Sequence, residues 1–285
     1  MSSILKIPFN KIRKDEDYQE ILLALERGFR KFNIDYYLVG ATARDVWMRG
    51  LHEVPPRRAT LDIDFAVMVK DNNIFAMLND YLTTVEGFSP IQGNAFRLFG
   101  KNKKQVDLIP FGELEREGIA TIEGTGITNM NVEGFMEVYE KATEIIYTED
   151  QQFKVCTLPG IVILKLIAWN DKPEIRSDDI ADIAEIIKHY FYFNSDAIWD
   201  LHSDLFTDEN DLDEIASQYL GREIWNIIYE NPKLTEKLKR ILEAGLTDIE
   251  SNKLDELLGR NLEKSIEFAR SLILHILAGI KEKKC

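Results

Sequence analysis

From Leu61 to Val69 the apolar residues fall at every second position: Leu61, Ile63, Phe65, Val67 and Val69. That is the period of a β-strand with one buried face. The alternate positions carry Thr60, Asp62, Asp64, Ala66 and Met68. Aspartate is poorly suited to strands, and neighbouring carboxylates on one face repel unless a cation lies between them. Ionised oxygen donors on a rigid strand suit a divalent ion such as Mg²⁺. The plainer alternative is a half-exposed strand whose aspartates are simply solvated. An Asp-x-Asp pair alone does not choose between the two.

The flanking sequence supplies context. Lys14 to Asn33 reads as an amphipathic helix, with Ile21, Leu22, Leu25, Phe29 and Phe32 at helical spacing. An apolar strand over 34–39 ends at Gly40, and 41–48 opens a short helix that Gly50 closes. Pro55-Pro56-Arg57-Arg58 is a loop leading into the aspartate strand. Beyond it 71–87 is helical, while 95–99 and 105–110 form a hairpin around the basic turn Gly100 to Lys104. In its second strand Val106 and Leu108 face one way, and Gln105, Asp107 and Ile109 the other. Asp107 is therefore a third carboxylate on a strand. Residues 119–138 read as short strands and turns, and 144–155 as a strand pair. Gly124-Thr125-Gly126 reads as a turn, because no strand–helix context for a nucleotide loop surrounds it.

From Leu158 the pattern turns helical, over 158–170, 178–190, 211–229, 232–244 and 253–284. Asn231-Pro232 is a cap followed by a favoured first helical residue. The expected architecture is α+β. A mixed-sheet catalytic domain covers residues 1–156, and an all-helical domain over 157–285 completes its cleft.

A chain of 285 residues, 45% hydrophobic, buries one large core or two smaller ones. Its net charge of −14 argues against a protein that coats long nucleic acid, since phosphate contacts dominate such affinity. An enzyme that holds one RNA end in a local basic groove remains compatible. Arg57, Arg58, Lys101, Lys103 and Lys104 are candidates for that groove, although solvated loop charges explain them more simply. Cys156 and Cys285 make no disulfide framework and the first residues lack a signal-peptide core, so a reducing cytoplasm is expected. The apolar runs at 161–167 and 272–280 contain Lys165 and His275 and are too short to span a bilayer. Scattered His52, His189, His202 and His275 suggest no zinc site.

A strand that ends at Gly40 passes into a helix whose first residues carry a hydroxyl, Thr42, and a cation, Arg44. Backbone N–H groups at such a helix start favour an anion. A phosphate cradle with three carboxylates is equipment for metal-assisted transfer at phosphorus. Arg44 has a structural alternative, pairing with Asp45 or Asp62. Lys165 on an otherwise apolar helix calls for a partner, and a structural carboxylate would serve. Asp179 and Asp182 are expected to face solvent or cap helix ends.

Three segments carry a family resemblance: Tyr37-Leu38-Val39-Gly40-Ala41-Thr42-Ala43-Arg44-Asp45, Arg58-Ala59-Thr60-Leu61-Asp62-Ile63-Asp64-Phe65, and Val106-Asp107-Leu108-Ile109-Pro110-Phe111-Gly112. They resemble the DNA polymerase β-type nucleotidyltransferase superfamily. Within it they are most similar to the AbiEii-type group, the toxin half of bacterial abortive-infection toxin–antitoxin pairs. Leu164-Lys165-Leu166-Ile167-Ala168-Trp169, followed by Asp179 and Asp182, resembles that group's helical region. The likeness covers most of residues 34–190, and Arg-x-Thr-x-Asp-x-Asp is its most specific part.

The resemblance implies a polymerase β-like core in which Asp62 and Asp64 bind two Mg²⁺ ions and Asp107 completes the catalytic one. Asp107 or a metal-bound hydroxide would help deprotonate an acceptor hydroxyl, which attacks the α-phosphorus of an NTP and expels pyrophosphate. Gly40, Ala41, Thr42 and Arg44 would hold the nucleotide, and Lys165 would neutralise its triphosphate. RNA, with a tRNA 3′ end as the leading case, is the acceptor so implied, with phage defence as the output and a separate antitoxin as partner. Two departures stand out. Gly40-Ala41 replaces the usual Gly-Ser or Gly-Gly, and Asp178-Asp179 replaces a frequent Lys-Asp pair. The acidic charge keeps other acceptors open, a small molecule such as an aminoglycoside or a protein side chain. The Asp178 departure keeps open a non-catalytic nucleotide- or partner-binding protein.

Overall fold

In the computed structural model the aspartate strand runs Asp62–Met68 inside an eight-stranded mixed sheet. The structure describes residues 5–8, 11, 16–57, 62–123, 127–148, 151–208, 210–247 and 253–282. The chain divides into two units, Met1–Thr157 and Leu158–Cys285, and the sheet belongs to the first.

In chain order the first unit contains β1 (Leu5–Lys6), α1 (Glu16–Phe32), β2 (Asp35–Val39), α2 (Gly40–Asp45), β3 (Asp62–Met68) and α3 (Asn72–Thr84). There follow β4 (Ser89–Ile91), β5 (Asn94–Phe99), β6 (Gln105–Phe111), β7 (Ile119–Glu123) and β8 (Ile127–Asn131). The unit ends with α4 (Phe135–Glu140), β9 (Thr143–Thr148) and β10 (Gln151–Val155). The sheet order is β1-β9-β10-β2-β3-β6-β5-β4, with β7 and β8 paired separately. Strand β3 runs antiparallel to β2 and parallel to β6, which is antiparallel to β5.

The alternation read from the sequence becomes two faces of this sheet. Ile63, Phe65 and Val67 are fully buried. Phe65 meets the Phe29 ring of α1 at 6.0 Å and Tyr36 of β2 at 5.7 Å. Each such side chain contributes roughly 1.5–3 kcal/mol by leaving water. Helix α1 lies on that face because Ile21, Leu22, Leu25 and Phe29 recur at helical spacing, and all are buried. Asp71 starts α3 by accepting from the Ile74 N–H.

The aspartate-bearing face is treated differently along its length. Towards the end of β3, Tyr37, Phe111, Phe135 and Tyr139 gather over it, and the Tyr37 hydroxyl donates to the Phe135 carbonyl at 2.9 Å. The aspartates occupy the beginning of the strand.

Several elements differ from the sequence reading. Residues 135–140 form a helix where only strands and turns were expected, entered through Gly134 in the left-handed region. The segment Val46–Leu51 continues α2 as a wider π-helical stretch. The short strands β1 and β4 carry too few residues for a period to register, and Pro90 suits β4 to the sheet edge it occupies.

The second unit contains α5 (Leu158–Asp171), α6 (Ser177–Phe193), α7 (Ser195–Leu201), α8 (Leu212–Ile228), α9 (Pro232–Ala244), α10 (Leu254–Leu262) and α11 (Ile266–Glu282). Asn231 caps α9 by accepting from the Leu234 N–H, with Pro232 in the first turn. The single helix expected over 253–284 is two, because Glu263 turns left-handed at φ +58°. Helices α8 and α11 meet at Gly221 and Gly279, where a Cβ on either would run into the other helix's backbone. Among the described residues, no helix is long and apolar enough to cross a membrane.

Candidate active site

Strand register assembles the carboxylates. Asp64 lies opposite Val39 on one side and Asp107 on the other, and Asp62 lies opposite Gln105. Asp62, Asp64 and Asp107 each offer a carboxylate oxygen, and these atoms lie within 4.8 Å of one another. Asp107 is buried and the other two are half-buried. Three hard oxygen donors of one charge, with no sulfur or imidazole among them, suit a divalent cation of the Mg²⁺ type. The residues present therefore fit such an ion.

Like charges this close need compensation. Part of it comes from Arg97 on β5, a residue the sequence reading passed over. Its Nε donates to Asp107 Oδ1 at 2.7 Å and its Nη2 to Oδ2 at 2.6 Å. Burial pushes the Asp107 carboxyl above its ordinary value, and the Arg97 guanidinium opposes that rise. Gln105, with its amide oxygen turned toward Arg97, accepts from both nitrogens at 3.1 Å. Register counted outward from the hairpin turn would have found the pair, since Phe99 faces Gln105 and Arg97 faces Asp107.

Gly40 is fixed by both backbone and space. Its φ is +67°, which favours glycine, and a Cβ there would overlap the Asp64 carboxylate. The Thr42 hydroxyl donates to the Asp62 carbonyl at 3.1 Å, which ties the start of α2 to the start of β3. Ala41 and Thr42 are both buried. Arg44 is 1% exposed and donates to Asp45 Oδ1 from Nε at 3.2 Å and from Nη2 at 2.8 Å. The internal pair with Asp45 is thus one of the two roles read for Arg44. Trp47 Nε1 donates to the Cys156 carbonyl at 2.7 Å and fastens the following helical stretch beyond the end of β10.

Lys165 belongs to the second unit, on α5. Its ammonium lies 2.8 Å from Asp179 Oδ1 and 2.8 Å from Asp182 Oδ2. Arg176 adds a contact to Asp179 Oδ2 at 3.4 Å. Burial works against the Lys165 charge, but Asp179 and then Asp182 outweigh it and hold its pKa above the ordinary value. Asp179 and Asp182 were expected at the solvent or at helix ends; both are instead buried. The cause is α5, an almost wholly buried helix whose ammonium cannot reach water and draws both carboxylates from one face of α6.

In the basic loops, Lys101 pairs with Glu20, and Lys104 lies 5.1 Å from the Tyr18 ring. Arg57 and Lys103 are both exposed. Arg58, Thr60, Leu61 and Gly124-Thr125-Gly126 lie outside the described residues.

Three carboxylates on neighbouring strands thus stand beside a glycine turn into a helix, on an α+β fold. The family model described as nucleotidyl transferase AbiEii toxin, type IV toxin–antitoxin system, matches residues 23–267. The chain belongs to that family and is a nucleotidyltransferase enzyme of the toxin class. No curated protein matches it.

Proposed function

We propose that this enzyme transfers an NMP from an NTP to an acceptor hydroxyl on RNA, with a tRNA 3′ end as the preferred acceptor. The observation that supports the reading is the close grouping of Asp62, Asp64 and Asp107 on one sheet face beside Gly40. Asp62, Asp64 and Asp107 would hold two Mg²⁺ ions. When bound, these supply positive charge against the triphosphate and the departing pyrophosphate.

The chain's own residues do the rest. The turn at Gly40 and Ala41 brings backbone close to Asp64, so an anion seated there lies beside the carboxylates. The acceptor oxygen forms its bond to the α-phosphorus as the bond to the bridging oxygen breaks and pyrophosphate leaves. Asp107 is the base we assign to the acceptor proton. Thr42 and Arg44 act by holding α2 in place, through Asp62 and Asp45 respectively. Lys165 remains our candidate for neutralising the triphosphate, which it would do only by giving up its contacts with Asp179 and Asp182. A separate antitoxin and a cytoplasmic site of action complete the proposal.

The net charge of −14 favours a second reading, in which the acceptor is a cationic small molecule such as an aminoglycoside. The test is transfer of label from each α-labelled NTP, with Mg²⁺, into total cellular RNA and protein, beside an Asp64→Asn control. Label in a tRNA-sized band that the control lacks supports the RNA reading and names the base. Label in protein alone moves the acceptor. Label in neither sinks the RNA reading and sends the assay to aminoglycosides.

A further inference from the structure

Arg97, Asp107 and Asp64 stand in one transverse row across β5, β6 and β3, because Arg97 pairs with Asp107 and Asp107 with Asp64. The row runs cation, carboxylate, carboxylate. The guanidinium fork takes both oxygens of Asp107, at 2.7 and 2.6 Å. Fork geometry of this kind is among the stronger charge-assisted contacts. In the amide orientation that satisfies its neighbours, the Gln105 oxygen lies 3.1 Å from the same two nitrogens. The Asp107 side chain is 8% exposed against 33% for Arg97, so the pair is sheltered on the carboxylate side and open on the other. The charges of Asp62 and Asp64 also reach Arg97.

Asp107 is thus claimed twice. The same carboxylate belongs to the oxygen set able to hold a metal ion. A cation entering that set must share or displace the N–H donors on Asp107, and it meets the repulsion of the guanidinium as it does so. We infer that Arg97 is a resident counter-cation that holds Asp107 when no metal is bound and competes with the divalent ion for it. Arg97 is on this account a positioning residue, and it sets how tightly the site takes its metal. The inference rests on the reading of the three aspartates as a metal site.

The experiment uses the full chain and Mn²⁺ as the probe, with free Mn²⁺ followed by its EPR signal. Wild type, Arg97→Met, Arg97→Lys and Asp64→Asn are compared, and each is also melted in EDTA and in Mn²⁺. Arg97→Met is expected to bind Mn²⁺ at least ~3-fold more tightly than wild type, since a positive neighbour has gone. It should also melt lower in EDTA and gain more from Mn²⁺. Arg97→Lys keeps the charge and loses the fork, so its affinity should fall between the two. Should Arg97→Met fail to fold in EDTA, the Lys variant carries the comparison. Equal or weaker Mn²⁺ binding in the folded variants overturns the inference, provided Asp64→Asn has lost binding. If wild type and Asp64→Asn take up Mn²⁺ alike, the metal-site reading fails first and the inference falls with it.

Discussion

Gly40 and Asp64 touch so closely that no side chain fits between them: a Cβ on Gly40 would overlap the Asp64 carboxylate, with Cγ only 3.0 Å away. The contact joins the two motifs that the sequence separates by a loop, the glycine turn and the aspartate strand. Gly40→Ala should therefore do two things. It should cost about 1–2 kcal/mol of stability from the left-handed backbone alone. It should also push Asp64 out of its set and abolish transfer. Gly87→Ala is the matched control, because Gly87 has φ +76° and a Cβ there meets nothing within 4 Å. Denaturant melts should show the backbone loss in both variants and a larger total loss in Gly40→Ala, while transfer survives only in Gly87→Ala. If Gly40→Ala keeps its activity, the Gly40–Asp64 contact is not part of the site.

Asp64→Asn tests the carboxylate set directly. Removing one of three like charges relieves repulsion, so the folded state should be as stable as wild type or more so. Transfer should fall by at least about 10²-fold, in line with the loss of a principal electrostatic group from an active site. Chelation with EDTA should abolish transfer by the wild type, and added Mg²⁺ should restore it. A melt and a labelled-NTP assay on the same preparations separate the two effects. Activity in Asp64→Asn close to wild type would remove Asp64 from the reaction.

The site was legible where its residues share one strand and hidden where partners meet across strands. Alternation alone put Asp62 and Asp64 on one face, and the same count along β6 put Asp107 on the face away from Val106 and Leu108; strand register then brought it beside them. Arg97 carries no such signal. Its role appears only when the hairpin register sets it against Asp107. Arg44 could be read either way, since whether a cation points inward depends on packing around α2 that local pattern does not encode. Asp179 and Asp182 were misjudged for a related reason. Acidic residues near a helix start are commonly solvated, but here a buried lysine on the neighbouring helix overrides that tendency. The helical second unit was legible from period alone except in two places: the short helix Ser195–Leu201 was not read, and at Glu263 a single left-handed residue divides one helix into two.

Glu26 gives a pH dependence with a definite sign. Burial raises its carboxyl above the ordinary 4.5, against the opposing hydrogen bond from Tyr147, whose hydroxyl donates to Oε1 at 2.8 Å. The folded chain therefore holds this proton more tightly than the unfolded chain does. Stability from this group is complete below the unfolded pKa and is lost as pH rises through the raised folded value. Glu26→Gln keeps an oxygen for Tyr147 and removes the titration. The variant should lose less stability than wild type as pH climbs from about 4 through the raised value. Urea melts across that interval compare the slopes, and parallel slopes would dismiss Glu26 as the source.

Lys165 poses the sharpest test of the second unit. Its ammonium is the shared partner of two buried carboxylates, each at 2.8 Å. Lys165→Met preserves much of the side chain's bulk but strands Asp179 and Asp182 next to one another in a region that excludes water. Breaking a buried pair from one side costs about 3–5 kcal/mol, because an uncompensated charge stays behind. The triple variant Lys165→Met, Asp179→Asn, Asp182→Asn removes the stranded charges and should recover much of that loss. Urea denaturation of the single and triple variants measures the recovery. The same pair separates structure from catalysis: a triple variant that folds yet transfers no label supports a contribution of Lys165 to nucleotide handling. A triple variant that both folds and transfers normally would confine Lys165 to holding α5 against α6.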